Sequence, residues 1–468
     1  MVYMDKRLKK PLILTTIILL ATFFRFYRLG YPDFIPDEGH YAYDAYEYFS
    51  GNPGVVPRFH PQFHYAGQMG HPFLEEWLMV AAYKILGPAV FSARLISALA
   101  GTLTTITIFF ISKLIFRREA TALIASLIYA TLPLAVKYDR TTYADSLQTF
   151  LMALFLFFYI KCLRSSKSIF PAVILGIITA FILLTKLSAI LILIFILIQF
   201  IANYIKDKSK IGFKNILVFF FSFSITFLLG TNPKAYIMGI IFPTDENLAI
   251  NSLRLNISTI TQNLFSKSLF TLIPLPLIVF AFLGIVKAIK QKKYLLLLSY
   301  FFSWSPLLFQ LLTNEGTLYR TLPLIFIGVF FAAYYLDQLI LTKKIIFLTI
   351  LAAWSFYASL KWGLLETLNS RSIDQEVMNT INSLNAPLNN QVYLYEVPRN
   401  YFFWKNKFNF IIDENFFSRA VNQQSVCCII STNQNEKDKK FNQALLDNNY
   451  RLIKEFNNAE RSLLVFYK

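Results

Sequence analysis

Eleven apolar runs, most of them long enough to cross a lipid bilayer, divide the first 366 residues of this chain. They lie at about 11–27, 90–111, 120–136, 146–160, 169–185, 187–205, 213–230, 269–286, 294–312, 321–341 and 345–365. At about 1.5 Å per helical residue, roughly 20 residues cross the hydrocarbon. With 56% hydrophobic residues and 48 Phe, this density of apolar runs excludes a soluble globular chain. The expected fold class is a polytopic α-helical membrane protein of about 11 transmembrane helices. A shorter amphipathic segment, 72–87, reads as an interfacial helix rather than a span.

The net charge of +18 is not a nucleic-acid footprint, because its placement is periodic. Cations recur at every second loop: Lys6, Arg7, Lys9 and Lys10; Lys113, Arg117 and Arg118; Lys161, Arg164 and Lys167; Lys206, Lys208, Lys210 and Lys214; Lys287, Lys290, Lys292 and Lys293; Lys343 and Lys344. This is the positive-inside pattern. It predicts a cytoplasmic N-terminus in the cell membrane, an external loop over 28–88, and an external tail after an odd number of spans. The first run follows basic residues without a small-residue cleavage site, so it is expected to stay as a span. Residues 169–205 carry Lys186 as their only charge and have basic flanks, so they should cross twice with Lys186 at the outer turn. Lys186 reads either as a functional cation or as a snorkelling lysine.

After about residue 367 the chain turns polar, and short β-like runs alternate with helical patterns. The strand-like runs are QVYLYEV (391–397), FNFII (408–412), SVCCIIS (425–431), RLIKEF and SLLVFY; the helical patterns cover about 372–384 and 436–447. The expected division is a transmembrane domain over 1–366 and a small α/β extracytoplasmic domain over 367–468, a normal domain size.

The first external loop holds all four histidines, His40, His60, His64 and His71, together with Asp37-Glu38. Pro36 suits a helix start, and Asp37 and Glu38 then fall in the first turn, where the helix dipole favours negative charge. An ionised Asp37 there can accept a proton from a hydroxyl. Asp37, Tyr41, Asp44 and Tyr48 share one helical face. That face fits a sugar-like ligand, and it equally fits an acidic cap on an interfacial helix with tyrosines at headgroup level. His60 and His64 with Asp37 or Glu38 can be read as divalent-metal ligands or as hydrogen-bonded loop histidines; Pro61 breaks regular helical spacing between them. Isolated cations gather at the same predicted surface: Arg94, Arg140 (with Asp145 following), Lys186 and Arg320. They can hold an anionic lipid phosphate or anchor the interface, Arg as a bidentate fork and Lys as a point charge.

These residues carry a resemblance. Arg25-x-x-Arg28, then Pro36-Asp37-Glu38-x-x-Tyr41-Ala42, resembles the outer loop of membrane glycosyltransferases of the GT-C class, in particular the protein O-mannosyltransferase and lipid A aminoarabinose transferase families. His71-Pro72-Phe73 with Trp77, Gly87 followed by Arg94-Leu95, Arg140 with Tyr143-Ala144-Asp145, and Leu184-Thr185-Lys186 continue the likeness in order. It covers about the first 200 residues and later only Arg320 and hydropathy. His71 stands where the lipid A enzymes carry Lys. The resemblance implies a GT-C-like fold and transfer of a hexose or pentose from a polyprenyl-phosphate sugar to a glycan, lipid or protein acceptor. Asp37 would be the base and Glu38 its positioning partner; Arg94, Arg140, Lys186, Arg320, His71, Asp145 and Tyr41 would bind donor or substrate. Polyprenyl phosphate is a good leaving group without a metal, and single displacement would invert the anomeric carbon. A transporter or flippase of lipid-linked sugar is the alternative; it predicts broken helices at mid-membrane and inverted repeats, whereas the charges here lie mainly at one predicted surface.

Overall fold

The computed structural model describes residues 6–31, 34, 36–50, 74–164, 169–185, 213–230, 273, 275–291, 322–340, 353–365, 373–383, 392–395, 409–411, 428–432, 436–457 and 462–467. The predicted runs 187–205 and 294–312 lie outside these residues. The others fall on helices: α1 Lys6–Phe26, α2 Pro36–Ser50, α3 Leu74–Leu86, α4 Val90–Phe116, α5 Glu119–Ala130, α6 Pro133–Tyr138, α7 Ala144–Arg164, α8 Phe170–Thr185, α9 Phe213–Gly230, α10 Leu275–Lys290 and α11 Leu322–Ile340, followed by a π-helical turn at Ser359–Leu365. Among the described residues, two helices are both long and apolar enough to cross a membrane, Val90–Phe116 and Ala144–Cys162. The third predicted run is broken. Pro133 lacks an N–H and crowds the preceding turn, so α5 stops at Ala130 and α6 restarts with Pro133 in its first turn.

The chain divides into two compact units, one of residues 1–27, 68–75 and 95–365, the other of 28–67, 76–94 and 366–468. In the first, α4, α5, α7, α10 and α11 share one apolar core, with Ile108, Ile128, Leu156, Phe280 and Phe330 buried in it. The opposite helix faces are apolar too. On α9, Leu217, Phe221, Ile225 and Leu228 are exposed at 53%, 69%, 41% and 56%, an i, i+4, i+8, i+11 stripe. A stripe of that kind needs lipid rather than water against it. Many hydroxyls inside the helices bond their own turns, as Thr102, Thr104 and Thr107 do to the carbonyls four residues back, which satisfies their O–H donors in an apolar medium. Asp337 of α11 accepts from Thr121 Oγ1 at 2.6 Å and pairs with Arg118 Nε at 3.1 Å, joining the start of α5 to α11.

In the second unit, five strands follow the predicted positions closely: β1 Val392–Tyr395, β2 Asn409–Ile411, β3 Cys428–Thr432, β4 Arg451–Asn457 and β5 Ser462–Tyr467, with α12 Ile373–Ser383 and α13 Glu436–Asp447. Their order is β2-β1-β3-β5-β4. β1 runs parallel to β2 and β3, and β5 antiparallel to β3 and β4. Leu463 to Phe466 of β5 are all buried, which explains why SLLVFY is continuously apolar rather than alternating. Asn449, at φ +66, ends α13 in the left-handed conformation that Asn tolerates.

Gly284 brings α10 against the backbone of α11, where an added Cβ would overlap the Phe331 carbonyl. Small residues permit such close approach between membrane helices. Gly284→Ala is expected to lower the thermal midpoint of the detergent-solubilised protein, at a cost of about 1–3 kcal/mol. Gly328→Ala, with nothing within 4 Å of the new Cβ, should not lower it.

Candidate functional site

α2 begins at Pro36, as predicted, and places Asp37 and Glu38 in its first turn. The Asp37 side chain lies outside the described residues, while Glu38 is buried. The Glu38 carboxylate accepts two hydrogen bonds from Arg94, Nε to Oε1 at 2.9 Å and Nη2 to Oε2 at 2.8 Å. Arg94 Nη1 donates to the Leu29 carbonyl at 3.2 Å, and the guanidinium carbon sits 5.6 Å from the centre of the Phe34 ring. A planar fork matched to a carboxylate in a dry site is a stiff joint as well as a strong one. The pair therefore fixes the turn that carries Asp37.

α3 packs along α2. Tyr83 donates to the Ala42 carbonyl at 3.1 Å, Phe49 meets the Tyr83 ring edge-on, and Tyr48 lies 6.3 Å from Trp77. Asp44 and Glu76 are buried, and Tyr41 is half-buried. Burial, then the Glu76 and Asp44 carboxylates, raise the Tyr48 phenol above its ordinary value near 10. Tyr48 is thus a neutral hydroxyl throughout the physiological range. Its raised value contributes stability fully present below the unfolded value and lost as pH rises through the folded one.

A second constellation lies in the other unit. Arg25, near the end of α1, is fully buried and donates Nε to Asp139 Oδ2 at 2.8 Å. Its other nitrogens reach the carbonyls of Ala21, Ala130 and Tyr129 at 3.2, 3.3 and 3.4 Å. Ala130 and Tyr129 close α5, so Arg25 caps that helix. Arg140 returns the arrangement: its Nη1 donates to the Phe24 and Arg25 carbonyls at 3.0 and 3.2 Å, in the last turn of α1. Only a residue without a side chain fits beside the ion pair, since a Cβ on Gly101 would overlap the Asp139 carboxylate. Ser97 donates to Glu75 Oε1 at 2.7 Å, and Asp145 is buried in the first turn of α7.

The structure therefore brings Glu38 to Arg94 and gives Arg140 backbone partners, placements that sequence spacing did not reveal. His60, His64, His71, Lys186 and Arg320 lie outside the described residues, as does the His40 side chain. Among the described residues, no group of three or more His, Cys, Asp or Glu is arranged to hold a metal ion. Asp139 was missed, although an arginine inside an apolar run requires an acidic partner and Asp139 adjoins Arg140.

The sequence profile of the dolichyl-phosphate-mannose-protein mannosyltransferase family matches residues 70–228. No curated protein matches the sequence. Among solved structures, ArnT from Cupriavidus metallidurans bound to undecaprenyl phosphate is similar at TM-score 0.62 and 13% identity, covering 98% of both chains. Its apo state gives TM-score 0.64 and 14% identity over 99% of this chain and 98% of that one. The archaeal oligosaccharyltransferase AglB from Archaeoglobus fulgidus, in complex with an inhibitory peptide and a dolichol-phosphate, gives TM-score 0.59 and 12% identity over 91% of this chain and 70% of that one. The chain thus resembles the GT-C membrane glycosyltransferases, and its fold is theirs.

Asp139→Leu strands the buried Arg25 guanidinium and is expected to cost about 3–5 kcal/mol in thermal or denaturant unfolding, with Arg25→Leu/Asp139→Leu recovering much of that loss. In an absorbance titration, the phenol step removed by Tyr48→Phe should lie above pH 10.

Proposed function

We propose that this chain is an integral membrane glycosyltransferase that moves a sugar from a polyprenyl-phosphate donor to an acceptor hydroxyl on the extracytoplasmic face. The observation that carries the reading is a fold shared over nearly the full length with a structure that holds undecaprenyl phosphate. The mannosyltransferase profile over 70–228 supports the same chemistry. In this reading the membrane domain covers 1–366 with about 11 spans, the N-terminus is cytoplasmic, and the α/β domain over 367–468 lies outside with the loop over 28–88.

Asp37 takes the proton of the acceptor hydroxyl as that oxygen attacks the anomeric carbon. The bond from that carbon to the phosphate oxygen breaks, and polyprenyl phosphate leaves with the electron pair. A single displacement inverts the anomeric centre. Glu38 acts through Arg94: their two-point joint holds the α2 turn and keeps Asp37 aimed. Arg94 and Arg140 also make internal hydrogen bonds, which hold their guanidinium groups in place. Arg94, Arg140, Lys186 and Arg320 are the cations proposed to meet the leaving phosphate, with His71 beside the donor. Tyr41 and Asp145 remain substrate-facing candidates.

The test is transfer of radiolabelled sugar from endogenous lipid-linked donors in membranes. Asp37→Asn should insert normally and lose about 10²- to 10⁴-fold in transfer. Full transfer by that variant would remove Asp37 as the base. Sugar lipid that crosses the membrane without any label reaching an acceptor would mark a flippase instead.

A further inference from the structure

One turn into α7, Gln148 is fully buried, and neither its Oε1 nor its Nε2 has a hydrogen-bond partner among the described residues. The neighbouring Thr149 hydroxyl donates its proton to the Asp145 carbonyl at 2.7 Å, so it does not donate to Gln148 Oε1. An unmet buried donor or acceptor costs about 1–3 kcal/mol, and this amide carries both. Methionine fills nearly the same volume at no such cost, so the amide points to a partner that the described residues do not supply. Gln148 lies three residues from Asp145, so the two share one face of α7, with Asp145 in the first turn.

We infer that Gln148 is a specificity-determining residue that binds a hydroxyl of the donor sugar; this rests on the transferase reading above. The pair of unmet atoms defines the chemistry. A phosphate oxygen would accept from Nε2 and leave Oε1 bare. A cation would meet Oε1 and repel the N–H. A hydroxyl satisfies both, donating its proton to Oε1 while its oxygen accepts from Nε2. A sugar hydroxyl read in this way discriminates strongly, because a donor lacking it leaves the amide stranded again.

The experiment compares full-length wild type with Gln148→Met in two readouts. One is thermal unfolding in detergent without added lipid. The other is mass spectrometry of the glycan restored when each gene complements a deletion strain. The expected result is a midpoint that holds or rises with a restored glycan reduced at least about ten-fold, as the loss of even one of the two hydrogen bonds to the sugar would give. An unchanged midpoint with unchanged glycan means that the amide binds nothing, and overturns the inference. A lowered midpoint means that a trapped water, which makes about three hydrogen bonds, already satisfies Gln148 in the free protein, and overturns it as well. A deletion strain that loses no glycan would instead remove the transferase reading itself.

Discussion

A guanidinium in an apolar interior has to be met on every side, and in this protein that requirement organises the helix ends. Arg25 satisfies an acid and three carbonyls from a fully buried position. Breaking such a pair leaves a buried charge, which is far worse than never having placed one. The arginine is therefore a constraint as much as a contact: the end of α1, the end of α5 and the segment around Asp139 have one mutual arrangement that meets it. Arg140 tightens that arrangement by capping α1, the helix that carries Arg25.

The Glu38–Arg94 pair applies the same logic in the other unit, but its geometry is two-pronged. One bond would fix a distance; two parallel bonds also fix an orientation. The base role proposed for Asp37 would need both, since misplacement by an ångström can cost a hundred-fold in rate. A short helix such as α2, only 15 residues long, is marginal by itself in water. Its packing on α3 through Tyr83 and Trp77, and its anchor to Arg94, supply what local propensity does not.

Much of this could be read from residue order, and the pattern of success has a physical reason. Apolar runs and β-like runs depend on neighbours in the chain, and the helices and strands fall close to where those runs lie. Pro36 marked the start of α2 because a proline at a first turn is a local signal. Pro133 was the same signal overlooked inside a longer run, where it splits α5 from α6. Partnerships were not readable. Glu38 and Arg94 are separated by 56 residues, Arg25 and Asp139 by 114, and no periodicity links them. Spacing likewise did not show that Arg140 donates to the last carbonyls of α1. The need for glycine at 101 became visible only with Asp139 and Arg25 beside it.

The long separation of Arg25 from Asp139 sets a schedule for biogenesis. Arg25 leaves the ribosome 114 residues before the acid that neutralises it. At about 5–20 residues per second, that interval is on the order of ten seconds. During it α1 holds a charge with no counterion, which a membrane helix tolerates by reaching toward the headgroups. In the proposed topology, α1 therefore enters the bilayer in a provisional pose and settles only after the turn beyond α6 has been made.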